Sequence, residues 1–304
     1  MYSIGVDVGG TKICTGIMDE TGTLMQSIEV PTLGVEGPES VIRRIKDTIL
    51  AMFQHVSRDD VLGIGIGAPG PLNPHTGTIL GPPNLPGWDG IRLPEIIQND
   101  VSLPVYLDND ANAAAVAEHR YGAGAGAKNM VYVTVSTGIG AGLVVDGRVR
   151  QGATGSFGEI GHTIIQPDGP LCTCGNRGCL EALASGTAIQ RNAREAFGRD
   201  MTAKEVAALA ATGEARAQSI LDAAFRYLGI GLVNLVNLFD PEVIVIGGGL
   251  SQIGEPMFRS LREALAANRF HPTPTKIRLC AAQLGTKAGV IGAASLPFVH
   301  QSQR

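Results

Sequence analysis

No stretch of the 304-residue chain stays apolar for the length a bilayer crossing needs, and the N-terminal Met1-Tyr2-Ser3-Ile4-Gly5 shows no basic region followed by an apolar one. Neither a membrane span nor an export signal is therefore expected, and the expected location is the cytoplasm. Charge is sparse as well. Charged residues make up 17% of the chain and the formal net charge is −4, which gives no electrostatic reason to expect a nucleic-acid surface. No linker or low-complexity segment interrupts the chain, and a 44% hydrophobic content favours folding over disorder. A GxxxxGK followed by Ser or Thr is missing, which excludes the P-loop fold. Gly65-Ile66-Gly67-Ala68-Pro69-Gly70 does fit the dinucleotide pattern GxGxxG after a strand. Pro69, Pro71 and Pro74 forbid the helix that must open there, so this loop is assigned instead to a substrate pocket.

Cysteines are few, and their placement is uneven. Of five, Cys14 and Cys280 stand alone while Cys172, Cys174 and Cys179 crowd into eight positions. An odd, tightly clustered set in a cytoplasmic chain points to metal rather than disulfides. Together with His162, the run Cys172-x-Cys174-x4-Cys179 makes a Cys3His set of the structural zinc type, and Gly175 and Gly178 permit the tight loop it needs. An apolar core does not account for three thiols flanked by Asn176 and Arg177.

The length suits two domains around a cleft. Strands are expected at Ser3–Val8, Thr11–Met18, Thr23–Val30, Val61–Gly67, Val105–Leu107, Met130–Ser136, Ala141–Val145 and Val243–Ile246. A helix over Pro38–Val56 follows from Val41, Ile42, Ile45, Ile49 and Met52, and one over Ala215–Phe239 from Ile220, Phe225, Leu228, Leu232, Leu235 and Leu238. Further helices are expected at Asp110–His119, Glu181–Phe197, Thr202–Ala211, Pro256–Asn268 and Lys287–Leu296, with a Pro/Gly loop over Ala68–Pro86. The alternation gives an α/β class. Ile4–Asp19 and Val131–Asp146 share the order strand, glycine turn, strand, Asp-containing turn, which suggests two related domains facing each other.

Many of the 41 glycines fall where strands end. In Asp7-Val8-Gly9-Gly10-Thr11-Lys12 the bare backbone would aim N–H groups at phosphate oxygens, with Thr11 adding a hydroxyl, Lys12 a charge, and Asp7 a carboxylate for magnesium. The plain alternative is a tight hairpin with an acid before it. Ser136-Thr137-Gly138-Ile139-Gly140 and Gly247-Gly248-Gly249 offer two more such turns, and the three together suit a cleft for a nucleoside triphosphate. Opposite them, Asp108-Asn109-Asp110 joins a strand to an Ala-rich helix. Either acid is a candidate to take a proton from an attacking hydroxyl, the other serving as helix cap. Glu159, His162, Glu181 and Asn84 are further polar groups for a sugar, each readable also as an ordinary surface or core residue.

DVGGTK, DNDANAAA, VSTGIGAG, GEIGH, CTCGNRGCLEALASG and VIVIGGG, in this order over nearly the whole chain, resemble the ROK family (repressors, open reading frames and kinases) of the actin-like ATPase and hexokinase group. The resemblance implies two RNase H-like α/β domains flanking a cleft, with a zinc-bound loop. They would span residues 1–115 and 116–286, the zinc loop 162–179 lying in the second and a C-terminal helix at about 287–304 packing back on the first. It implies Asp110 as catalytic base, Asn84, Asn109, Asp110, Glu159, His162 and Glu181 around the sugar, and His162, Cys172, Cys174 and Cys179 around a structural zinc. ATP phosphates would lie between Gly9–Lys12 and Thr137–Gly140, with the nucleoside near Gly247 and Gly248. The implied reaction is transfer from Mg-ATP to the primary hydroxyl of a hexose, glucose first. N-acetylmannosamine, N-acetylglucosamine, mannose and fructose are the alternative acceptors. The phosphate hairpin begins at residue three, so the helix-turn-helix of the family's repressors is not expected in front of it. The other implied partner is a second copy of the chain, in a dimer or tetramer.

Overall fold

Two five-stranded sheets are built to one plan, and the computed structural model describes them within residues 1–270 and 276–302. In the first sheet β1 (Tyr2–Val8), β2 (Lys12–Asp19) and β3 (Leu24–Pro31) form an antiparallel meander. β4 (Val61–Ala68) lies parallel to β1, and β8 (Val105–Asn109) parallel to β4, giving the order β3-β2-β1-β4-β8. The second sheet repeats this with β9 (Met130–Val135), β10 (Ile139–Val145), β11 (Arg148–Val149), β12 (Val243–Gly247) and β13 (Arg278–Ala281), in the order β11-β10-β9-β12-β13. The likeness of Ile4–Asp19 to Val131–Asp146 is thus structural, since β1–β2 and β9–β10 hold equivalent places. Central strands are mostly apolar because helices cover both faces, and β12 is buried at every residue.

Helix α1 (Pro38–Met52) starts with Pro at its first position and buries Val41, Ile42, Ile45, Ile49 and Met52. It ends four residues before the expected Val56, because Phe53, Gln54 and His55 donate to carbonyls three residues back, where an α-helix requires four. The expected loop over 68–86 is mostly turns but carries two short strands. β5 (Leu72–Asn73), β6 (Thr78–Leu80) and β7 (Asp89–Arg92) make a small antiparallel sheet that runs into α2 (Leu93–Val101).

Helix α3 (Asp110–Tyr121) and the C-terminal α9 (Ala288–Gln301) cross where the two sheets meet. Their approach depends on glycine: a Cβ on Gly292 would stand 1.8 Å from the Ala113 carbonyl oxygen, and one on Gly65 of β4 would stand 1.9 Å from that of Ala293. Residues 303 and 304, the last two of the expected C-terminal helix, lie outside the described residues.

The expected helix 181–197 is two, α4 (Leu180–Ala184) and α5 (Gly186–Phe197). Ser185 breaks it by taking extended geometry and accepting the Ala188 amide as the cap of α5. α6 (Ala203–Ala211) opens on a capping box between Thr202 and Glu205. α7 (Ala215–Phe239) is long and apolar enough to cross a membrane by length and composition, but Ile220, Phe225, Leu228, Leu232 and Leu235 are buried in the core of the second sheet. Leu238, expected on that face, is 74% exposed. α8 (Glu255–Ala266) completes the layer.

Candidate active site

The turn after β1 is closed by hydrogen bonds, one of which takes the Gly9 amide. Gly9 N donates to Lys12 O, Thr32 N to Thr11 O, and the Thr32 hydroxyl to Gly9 O. Asp7 stands at the end of β1 against the first turn of α9, where a Cβ on Gly289 would meet its Oδ2 at 2.3 Å. Burial pushes its carboxyl up to about 6, partly offset by the Lys12 charge. No hydrogen bond among the described residues ends on that carboxylate, and an acceptor-only group so placed fits a divalent cation. Lys12 itself points along the sheet and pairs with Glu29 of β3 at 2.6 Å. Asn84 lies over the same turn, its Cβ 3.0 Å from where a Gly10 Cβ would be.

The second and third turns are tied together. Gly186 N donates to Ser136 O, and the Thr187 hydroxyl to Thr137 O at 2.9 Å. The Glu181 carboxylate accepts the Ile139 amide at 2.9 Å, in the space a Cβ on Gly138 would fill. Gly248 takes φ 82°, and a Cβ there would strike the Val135 carbonyl oxygen at 2.4 Å. Its glycine is therefore demanded by β9 as well as by any ligand. Gly249 faces Ser136 and brings the third turn beside the second.

Across the cleft, β8 becomes α3 at Asn109, whose Oδ1 accepts the Ala111 amide at 2.8 Å. The cap expected of Asp108 or Asp110 is thus Asn109. Asp108 is buried and accepts from Asn109 N, Asn112 Nδ2 and Gln151 Nε2, which removes it as a base reaching substrate. Asp110, the first residue of α3, is exposed as a residue, yet its carboxyl is crowded by surrounding protein. Its carboxyl is pushed up to about 7, first by burial and then by the negative charges of Asp7 and Glu159, against the pull of the Ala111 amide. Glu159 is also raised, mainly by burial, with Glu181 adding to the shift and His162 opposing it. Asp7, Asp110, Glu159 and Glu181 thus form a chain of interacting carboxylates from the first turn to the second. Asn109 Nδ2 and Glu159 Oε1 both border Gly70, at 3.2 and 3.9 Å from the position of its missing Cβ. No helix follows Gly70; β5 begins at Leu72.

His162, Cys172, Cys174 and Cys179 bring one donor atom each to within 4.8 Å of one another. Cys174 and Cys179 sulfurs are 3.7 Å apart, as are Cys172 Sγ and His162 Nδ1. Two thiolates on a tetrahedral zinc at ~2.3 Å stand roughly 3.8 Å apart, so the donor set fits zinc in both chemistry and spacing. Gly178, at φ 66°, leaves no space for a side chain beside Gln166 O, and Leu180 N donates to Thr163 O. The knuckle thereby anchors the start of α4, which carries Glu181. His162 gives Nδ1 to the thiols and keeps Nε2 for a different partner.

The sequence singled out the cleft residues named above except Glu29, Thr32, Gly289, Thr187 and Gln151, and it placed the loop that holds Gly70 at a substrate pocket, where Asn109 and Glu159 border it. The missed residues carry no local motif, and their partners are distant in sequence.

Paired sheets of one topology, with glycine turns facing a carboxylate row over the gap, define the two-lobed α/β sugar-kinase fold. The ROK family model matches residues 3–299, and the chain belongs to the ROK family. It is 38% identical to a glucokinase of Halalkalibacterium halodurans over 96% of this chain and 93% of that protein. A ROK hexokinase from Thermus thermophilus superposes with a TM-score of 0.88 at 38% identity, with 100% of both chains covered. A ROK family glucokinase from Streptomyces griseus, solved with glucose and AMPPNP, gives a TM-score of 0.83 at 34% identity over 97% of this chain and 99% of that one. Xylose repressors also match, with 76–77% of their length covered.

Proposed function

We propose that this chain is an ATP-dependent hexose kinase that transfers the γ-phosphoryl group to the primary hydroxyl of glucose. The observation that carries the reading is Asp110. It is a carboxyl on the cleft floor, held up to about 7 by its surroundings, between the Asp7 end of the cleft and Glu159. A base works best with a pKa near the operating pH, and a group of this kind takes the hydroxyl proton as the oxygen attacks phosphorus.

Asn84, Asn109, Glu159, Glu181 and His162, through its free Nε2, would hold the sugar. The Asn109 side chain has its oxygen committed to capping α3, so its Nδ2 is the donor available to a sugar hydroxyl. The turns at Gly9–Lys12 and Thr137–Gly140 would receive the phosphates on amides other than those of Gly9 and Ile139, which bond within the protein, with the nucleoside near Gly247 and Gly248. When bound, magnesium held by Asp7, directly or through water, supplies positive charge to the phosphate oxygens as negative charge builds. Zinc on His162, Cys172, Cys174 and Cys179 is structural, because four protein ligands leave no open position. Residues 1–115 with the C-terminal helix would form one lobe and 116–286 the other, closing on the substrates and excluding water.

Glucose is the favoured acceptor because the ROK relatives above include glucokinases, one bound to glucose and AMPPNP. A coupled ADP-release assay with glucose, mannose, fructose, glucosamine and both N-acetylhexosamines tests this. The expected outcome is the highest kcat/KM with glucose. ADP release that ignores every sugar would refute the kinase reading, and a higher value for another hexose would reassign the acceptor.

A further inference from the structure

Asp108 is 3% exposed and precedes the proposed base by two residues, yet the mechanism above leaves it without a task. Its carboxylate is gripped from both lobes. Oδ1 accepts the Asn109 backbone amide at 2.7 Å and Asn112 Nδ2 at 2.9 Å, both within the junction of β8 and α3 that carries Asp110. The Asn112 amide has one workable orientation, because its oxygen cannot face a carboxylate. Oδ2 accepts Gln151 Nε2 at 2.7 Å, and Gln151 opens the second-lobe loop that leads to Glu159. The same loop meets the first lobe twice more. Gly152 O lies 2.9 Å from His75 Nε2, and Gly155 packs so closely that a Cβ would stand 2.8 Å from Leu72 O.

We infer that Gln151 is a positioning residue for phosphoryl transfer: through Asp108 it fixes where Asp110 stands relative to Glu159 across the lobe boundary. This rests on the kinase reading. A charge-assisted hydrogen bond to a buried carboxylate is short and directional, and misplacement of a reacting group by about 1 Å can cost ~100-fold in rate. Gln151 also borders a cavity of about 400 Å³ lined by His75, Tyr106 and His300. Shortening it therefore admits water to Asp108, where a sealed core would leave the carboxylate bare.

The test uses the full chain. Gln151→Ala should lower kcat for glucose about tenfold, with sugar KM raised less. Gln151→Glu sets one carboxylate on another, so the link persists only while the pair shares a proton. Its kcat relative to wild type should fall as pH rises from 6 to 8. His75, His300, Tyr106 and Asp110 also face the pair and respond to an added charge, and the exchange variant below, which carries a single carboxylate as wild type does, separates that response from loss of the link. Adding Asp108→Asn to Gln151→Glu exchanges donor and acceptor, and should return kcat to within threefold of wild type with a flat ratio. Unchanged kcat and KM, within twofold, in Gln151→Ala and Gln151→Glu at both pH values would overturn the inference. So would a loss in Gln151→Glu that is pH-independent and not rescued by the exchange, and this arm decides the matter even if Gln151→Ala does not fold. Failure of the kinase reading is distinct, as it would show as wild type that releases no ADP on adding sugar.

Discussion

A carboxyl held up to about 7 makes the proposed catalysis pH-dependent over an accessible window. If Asp110 must be ionised to accept the hydroxyl proton, about 1% of the enzyme is competent at pH 5, about 10% at pH 6 and about 90% at pH 8. A carboxyl at its ordinary value of 3.8 would give a flat profile over the same range. With both substrates below saturation, kcat/KM reports the free enzyme, so the coupled assay should give a limb that rises about fivefold from pH 6 to a midpoint near 7 and falls more steeply below pH 6, where Asp7 also takes up a proton. Asp7→Asn should move that midpoint down even as kcat falls, because the Asp7 charge is the largest of the charges raising Asp110. Asp110→Asn should cost about 10²–10⁴-fold in kcat while glucose binding persists. The same carboxyl leaves a mark on stability. Its folded pKa lies above its unfolded one, so ionisation penalises the fold, not at all below pH 4 and fully above about pH 7. Asp110→Asn should therefore raise the melting temperature more at pH 8 than at pH 5. A flat kcat/KM profile from pH 5 to 8, or an Asp110→Asn enzyme with more than a tenth of wild-type kcat, would refute the assignment.

Cys174→Ser should release zinc, read as loss of one equivalent per chain by elemental analysis. It should also raise the glucose KM, because His162 and the start of α4 lose their anchor. A wild-type protein with no stoichiometric zinc would contradict the cluster. Gly65→Ala sets a methyl 1.9 Å from the Ala293 carbonyl oxygen, backbone against backbone. It should cost about 3 kcal/mol or more, visible as a melting temperature lower by at least about 5 °C.

How far the site was legible depends on how local its signals are. A zinc knuckle is written in spacing, since three thiols within eight positions can converge almost whatever the rest of the chain does. Glycine turns after buried strands are likewise readable, because φ and side-chain bulk are properties of single residues. The helix cap was ambiguous: Asp108, Asn109 and Asp110 all have side chains fit for capping, and backbone direction at the end of β8 chose Asn109. β5 and β6 were read as loop because they are two and three residues long and set among turn formers. The Ser185 break was hidden inside a good helical pattern.

By itself the sequence determined the chemistry on offer: three glycine turns, a row of carboxylates, a Cys3His set and the apolar faces that bury around them. Tertiary structure alone decided which of these meet. Asn84 reached Gly10, Glu181 reached Ile139, and Gln151 reached Asp108 over 43 residues. The reason is physical. Turn, cap and metal-knuckle preferences act over a few residues, whereas a hydrogen bond across lobes exists only once two sheets and the helices α3 and α9 have packed at a distance that glycines such as Gly65 and Gly292 allow.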